Sequence, residues 1–131
     1  MAPVLIDTTL LIDRERRGDR LEELIGDQDR AISVITVSEL LHGVHRAKGA
    51  TRIRRQSFVE NLLSAFEPIP ITEPVARVHA ATWAQLASRG HTVGAHDLWI
   101  AATALAHGLD LATDDDAGFA RVPGLTVLTL S

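Results

Sequence analysis

The chain has 131 residues, 46 % of them hydrophobic but only 4 % aromatic, with a formal net charge of −4 and no cysteine. That length argues for a single domain over residues 1–131 with an aliphatic core, and the missing cysteine excludes disulfides, thiolate metal sites and a cysteine nucleophile. The acidic balance argues against bulk-charge gripping of nucleic acid, and no apolar run approaches the roughly 20 residues of a membrane span. In chain order, Val4–Ile6 reads as a buried strand; it is too short, and lacks the basic leader, for a signal peptide, so a cytoplasmic protein is expected. Thr8–Asp13 reads as a short helix and Leu21–Ile25 continues helical. Ala31–Ile35 is β-branched and strand-like. Val37–Arg46 and Thr51–Phe66 read as helices, and Glu67–Ile71 as a short strand between prolines. Pro74–Ser88 carries Val75, Val78, Thr82 and Leu86 at helical spacing, with Thr72 to cap its start and Gly90 after its end. Asp97–His107 is the next helix, closed by Gly108. Leu111–Ala112 and Thr126–Leu130 are the last strands, with a short helical turn between them. This alternation predicts an α/β fold: a mainly parallel sheet of about five short strands flanked by helices.

Four acids fall at the ends of these segments. Asp7 closes VLID, Glu39 follows AISVITVS, Asp97 opens DLWIAATAL and Asp115 lies just past LDLAT. Each has a structural explanation alone. Asp7 could cap the helix at Thr8, Glu39 stands three after Thr36 as in a capping box, Asp97 suits a helix dipole, and Asp115 could serve a polar turn. Together they mean more, because the carboxyl ends of strands in a parallel α/β sheet share one edge, where ligands bind. Bare carboxylates about 4 Å apart repel by ~4 kcal/mol per pair at an effective dielectric near 20. Such a cluster raises its own pKa values or recruits cations. With oxygen ligands and no sulfur, Mg²⁺ or Mn²⁺ fits best, and such a cation points to phosphate chemistry.

LIDTTLLID, ITVSELLHG, GAHDLWIAATAL and LATDDDAGFARVPGL, in this order, resemble the PIN-domain ribonucleases, and more closely the VapC-type toxins of bacterial VapBC toxin–antitoxin modules. The resemblance spans nearly the whole chain. It implies a PIN-like fold and a metal-dependent endoribonuclease that inhibits translation and growth. By the same resemblance the catalytic acids are Asp7, Glu39, Asp97 and Asp115. Asp7, Asp97 and Asp115 would ligate the metal, with Asp116 able to substitute or assist and Asp114 a further neighbour. Thr8 and Thr113 would give hydroxyl support, and Phe119 stands at the family's aromatic position. Glu39 would hold a second ion or orient the attacking water; one or two metals is left open. The resemblance also implies a homodimer and a cognate VapB-type antitoxin whose C-terminal segment lies in a groove over the site. Val37–Val44 and the Thr51–Phe66 helix are candidate groove walls.

Arginines cluster at Arg14, Arg16, Arg17 and Arg20, and again at Arg46, Arg52, Arg54 and Arg55, with Lys48 the only lysine. Such stretches are more often solvated helix faces. The functional reading places Arg14, Arg16 and Arg17 on the site's rim, holding RNA phosphates. His42 and His45, three apart on a helix, supply only two ligands, a weak metal site. His96 beside Asp97 is better read as solvent-facing or capping than as touching substrate. Trp83 and Trp99 are better read as core or subunit packing than as base-stacking platforms.

Two other enzyme classes lack their signatures. A haloacid-dehalogenase-type phosphatase needs Asp-x-Asp where this chain has Asp7-Thr8-Thr9, and a receiver domain needs a lysine near the last strands. The remaining alternatives are another α/β metal phosphoesterase such as a DNase, and a PIN fold that binds RNA or a partner without cutting.

Overall fold

The computed structural model describes residues 3–18 and 29–129. The helical expectation at Leu21–Ile25, and Arg20, lie outside the described residues, as does Leu130. Among the described residues the order is β1 (Val4–Ile6), α1 (Thr8–Arg17), β2 (Arg30–Ala31), α2 (Val34–Arg46), α3 (Gly49–Ala65), α4 (Glu73–Ser88), α5 (Ala95–His107), β3 (Asp110–Thr113), α6 (Asp116–Phe119) and β4 (Val127–Thr129). The strands form one parallel sheet in the order β2-β1-β3-β4. No described helix is long and apolar enough to cross a membrane.

The sheet has four strands rather than the five expected. The segment Glu67–Ile71 contributes only a parallel bridge between Ser33 and Ile69. Pro68 and Pro70 cannot donate to a ladder, so Ile69 alone pairs, through Ile69 N to Ile32 O (2.9 Å) and Val34 N to Ile69 O (3.0 Å). The strand expected at Ala31–Ile35 is also shorter. Ser33 caps α2, its Oγ accepting from Ile35 N at 3.0 Å. A local cap thus overrides β-branched propensity. The capping-box reading of Thr36 and Glu39 is corrected with it, since both lie inside the helix.

Burial on both faces explains the near-continuous apolar strands. Val4, Ile6 and Ala112 face one way and pack with Leu10, Leu11, Leu40, Val44 and Val59 from α1, α2 and α3. Leu5 and Leu111 face the other way, against Ile100, Ala101 and Ala104 of α5 and Phe119 of α6. Alanines at 101 and 104 let α5 lie close to the sheet, and α4 packs chiefly on α5. Gly108 ends α5 in the left-handed region at φ 66°, where a side chain would be strained.

This topology fixes where a ligand can bind. β1 connects outward to β2, while β3 and β4 lie on the opposite side of β1. The switch point is therefore between β1 and β3, and the crevice at their carboxyl ends is the expected site. Asp7 follows β1 there, and its N–H extends the ladder by donating to Ala112 O at 2.9 Å.

Candidate active site

Asp7 occupies the N-cap position of α1, yet its side chain makes no cap hydrogen bond. Its carboxylate is 1 % exposed and turns toward β3. Asp7 Oδ2 accepts from Thr9 Oγ1 at 2.6 Å and from Thr113 Oγ1 at 2.8 Å. Asp7 Oδ1 is buried with no hydrogen-bond partner. A capping role leaves that unexplained, because an unsatisfied buried carboxylate oxygen is costly. A cation in the crevice would satisfy it.

Thr113 ties two acids together. Its hydroxyl donates to Asp7 and accepts from Asp115 N at 2.9 Å. Asp115 then caps α6, with Oδ1 accepting from Gly118 N at 3.2 Å. A Cβ on Gly118 would stand 2.8 Å from Asp115 Oδ2, so any other residue there would shift this carboxylate. Thr113→Val strands the Asp115 N–H and removes a buried donor from Asp7. We expect it to cost about 1–3 kcal/mol of stability by urea denaturation. An unchanged midpoint would mean that these hydroxyl bonds do not hold the crevice.

Glu39, one and a half turns into α2, is held from the start of α1. Thr8 Oγ1 donates to Glu39 Oε1 at 2.8 Å and lies 3.0 Å from Thr36 Oγ1. Glu39 Oε2 lies 3.6 Å from His96 Nδ1. His96, read from sequence as solvent-facing or capping, is exposed but does reach the acidic cluster. Thr9 and Thr36 were missed as support; the signal was their threonine identity at two and three residues from Asp7 and Glu39.

Asp97 is the third residue of α5 and half-buried. Burial, and then the charges of Asp7, Glu39 and Asp115, push its pKa up to about 6, against a lowering by His96. Three acids spread over most of the sequence therefore reach Asp97 through space. Asp114 differs from its neighbour. It lies 3.8 Å from Arg14 Nη2, and its pKa is raised by burial and by a hydrogen bond with Asp13, against the Arg14 charge. Of the triplet, Asp114 thus turns toward α1, Asp115 acts on Asp97, and Asp116 begins α6, exposed.

The donors suit a hard cation: all are oxygens, one is an orphan, and their mutual repulsion would be relieved by positive charge. Among the described residues no three His, Asp or Glu side chains meet as a ready-made cage.

The arginines divide. Arg14, expected on the rim, is instead 3 % exposed and faces Asp13 at 4.0 Å and Asp114 at 3.8 Å, so it cannot meet RNA phosphates. Arg16 and Arg17 are exposed at the end of α1, Arg17 pairing with Asp13 at 3.5 Å. Arg55 reaches back to Glu15 at 3.8 Å, linking α3 to α1. His42 and His45 are both exposed on α2. Trp83 is not a core residue: it is 62 % exposed, while Trp99 is half-buried.

The PIN-domain family model matches residues 4–125. The chain is 35 % identical over 129 residues to Ribonuclease VapC1 of Rickettsia felis, covering 98 % of this chain and 96 % of the relative. It is 33 % identical over 126 residues to Ribonuclease VapC4 of Mycobacterium tuberculosis, covering 96 % and 95 %. Among solved structures, a chain of VapBC-5 from Mycobacterium tuberculosis superposes with a TM-score of 0.80 at 33 % identity, and one of promoter-bound VapBC2 from Rickettsia felis with 0.88 at 26 %; each match covers 98 % of both chains. A parallel sheet with acids at its switch point, matched over almost its full length, places the chain in the PIN-domain family, among the VapC ribonucleases.

Proposed function

We propose that this protein is a metal-dependent endoribonuclease acting as the toxin of a type II toxin–antitoxin module, a single PIN domain over residues 1–131 working in the cytoplasm. The observation that carries this reading is the buried, unpartnered Oδ1 of Asp7 at the switch point, with Thr113 tying Asp7 to Asp115 and Asp97 near enough to feel their charge. Asp7, Asp97 and Asp115, with Asp116 as a further candidate, would hold Mg²⁺ or Mn²⁺. When bound, such an ion acidifies its water and screens the charge of the scissile phosphodiester. Thr9 and Thr113 fix one oxygen of Asp7 and leave the other without a protein partner, so that it would be available to a cation. Thr8 fixes Glu39, which orients the attacking water and accepts its proton. Arg16 and Arg17 are left to hold flanking phosphates; Arg14 instead braces the Asp114 turn.

The matched Rickettsia felis and Mycobacterium tuberculosis structures are of VapBC assemblies, and this supports a VapB-type antitoxin as partner here; a homodimer of this chain is part of the same proposal. α2 and α3 are the groove walls we propose for it, and Ile53 on α3 offers an exposed apolar contact, at 73 %.

The test is sequencing of RNA ends from cells induced for the protein, with an Asp7→Asn control. New cleavage ends should appear with the native protein only. The same ends in the control would overturn the reading. In vitro, purified protein should cut RNA but not DNA with Mn²⁺ present, and neither with EDTA.

A further inference from the structure

Beside the carboxylates lies a second concavity that the proposed chemistry does not use. It is a cavity of about 330 Å³ between α4 and α5, lined by His79, Trp83, Val93, Ala95, Leu98 and Trp99. His79 and Trp99 stack with ring centroids 3.6 Å apart and planes 14° from parallel, and Trp83 stands edge-on to His79 at 5.8 Å and 66°. Burial lowers the pKa of His79, so the whole lining is uncharged near neutrality. The cavity shares its wall with the candidate active site. Val93 and Ala95 flank Gly94, against which Asp97 packs closely enough that a Cβ would lie 3.7 Å from its Oδ2. Leu98 follows Asp97 on α5.

We propose that this cavity is a nucleobase subsite, taking the flat face of one base of the RNA next to the cut bond. The ligand's identity rests on the ribonuclease reading; the subsite rests on the cavity. A neutral aromatic wall rejects phosphate and suits a base, whose π-face stacks on tryptophan whatever its sequence. The volume is at the small end of ligand pockets, roughly 300–1,000 Å³, so it fits one nucleoside rather than a protein segment. A second copy of the chain would cover about 800 Å² a side, with its apolar residues gathered at the centre. Among the described residues the exposed large hydrophobics are Val34, Ile53 and Trp83, and only Trp83 belongs to α4 or α5. One isolated ring over a cavity suits a base better than an interface.

Both tryptophans of the chain line this cavity, so intrinsic fluorescence reads it directly. The experiment titrates a short single-stranded RNA into the Asp97→Asn protein with Mg²⁺, following fluorescence and anisotropy together. The expected result is saturable quenching. Adding Trp83→Ala weakens binding about tenfold, while Trp83→Phe keeps it within about twofold. Moving an abasic nucleotide along the RNA finds one position that weakens binding as much as Trp83→Ala does, and the two losses do not add. Anisotropy that saturates without quenching overturns the subsite, as does an abasic penalty unchanged in Trp83→Ala. Conversion of a dimer to monomer by Trp83→Ala, with RNA affinity unchanged, shows that a second copy covers the cavity and overturns it too. RNA that quenches yet is not cut by the native protein with Mn²⁺ overturns the ribonuclease reading and leaves the subsite standing.

Discussion

Asp97→Asn should lower RNA cleavage by on the order of a hundredfold or more while leaving the fold intact. Loss of a residue that merely supports a metal ligand costs about 10–100-fold, and Asp97 is placed to be a ligand itself. The amide keeps the shape and removes the charge that three neighbouring carboxylates act on. Its effect on stability has the opposite sign. The folded protein raises the Asp97 pKa from 3.8 to about 6, so between these values it binds a proton that the unfolded chain releases. Stability from this group is therefore greatest below about pH 4 and is lost as pH rises through 6. In EDTA at pH 7.5 the Asn variant should melt a few degrees higher than the native protein, with the gain shrinking toward pH 4. An inactive variant that melts lower at pH 7.5 would attribute the lost activity to damage. Native cleavage rates in the purified variant would remove Asp97 from the site altogether.

Much of this arrangement was legible in the sequence, for identifiable reasons. Pro74–Ser88 differs by one residue from α4, Glu73–Ser88, because a first-turn proline and a following glycine act locally. Gly108 marked the end of α5 in the same way. The errors fall where a local rule met a competing one. Ala31–Ile35 has β-branched composition, but the Ser33 cap turns the chain into a helix two residues past Ala31. Trp83 sits on a helix whose Val75 and Leu86 are buried and whose Val78 is half-buried, and no periodicity distinguishes a ring left outside. Arg14 reads as one of a run of surface arginines; only the fold brings Asp114, 100 residues away, to its guanidinium. For the acids, sequence gave their positions at segment ends. It could not give the orphaned oxygen of Asp7, or the choice within Asp114–Asp116, because both depend on hydroxyls from distant strands and helices.

Metal binding should carry a single proton's signature. A carboxylate ligand must be ionised to bind, so Asp97 must release its proton first. With its pKa at about 6, roughly nine-tenths of the protein is ready at pH 7 and one-tenth at pH 5. Apparent Mg²⁺ affinity by calorimetry should therefore be nearly flat above pH 7 and fall about tenfold per unit below 6. Cleavage at limiting Mn²⁺ should show the same acid limb. Because metal and proton compete for one group, a tenfold rise in Mn²⁺ should move that limb about one pH unit lower. EDTA should abolish cleavage at every pH. The limb should persist in His96→Gln, which removes only a lowering influence on Asp97, and vanish from metal binding in Asp97→Asn. An acid limb that ignores metal concentration would mean that the titrating group is not a ligand, and the crevice would then need another explanation for its four converging charges.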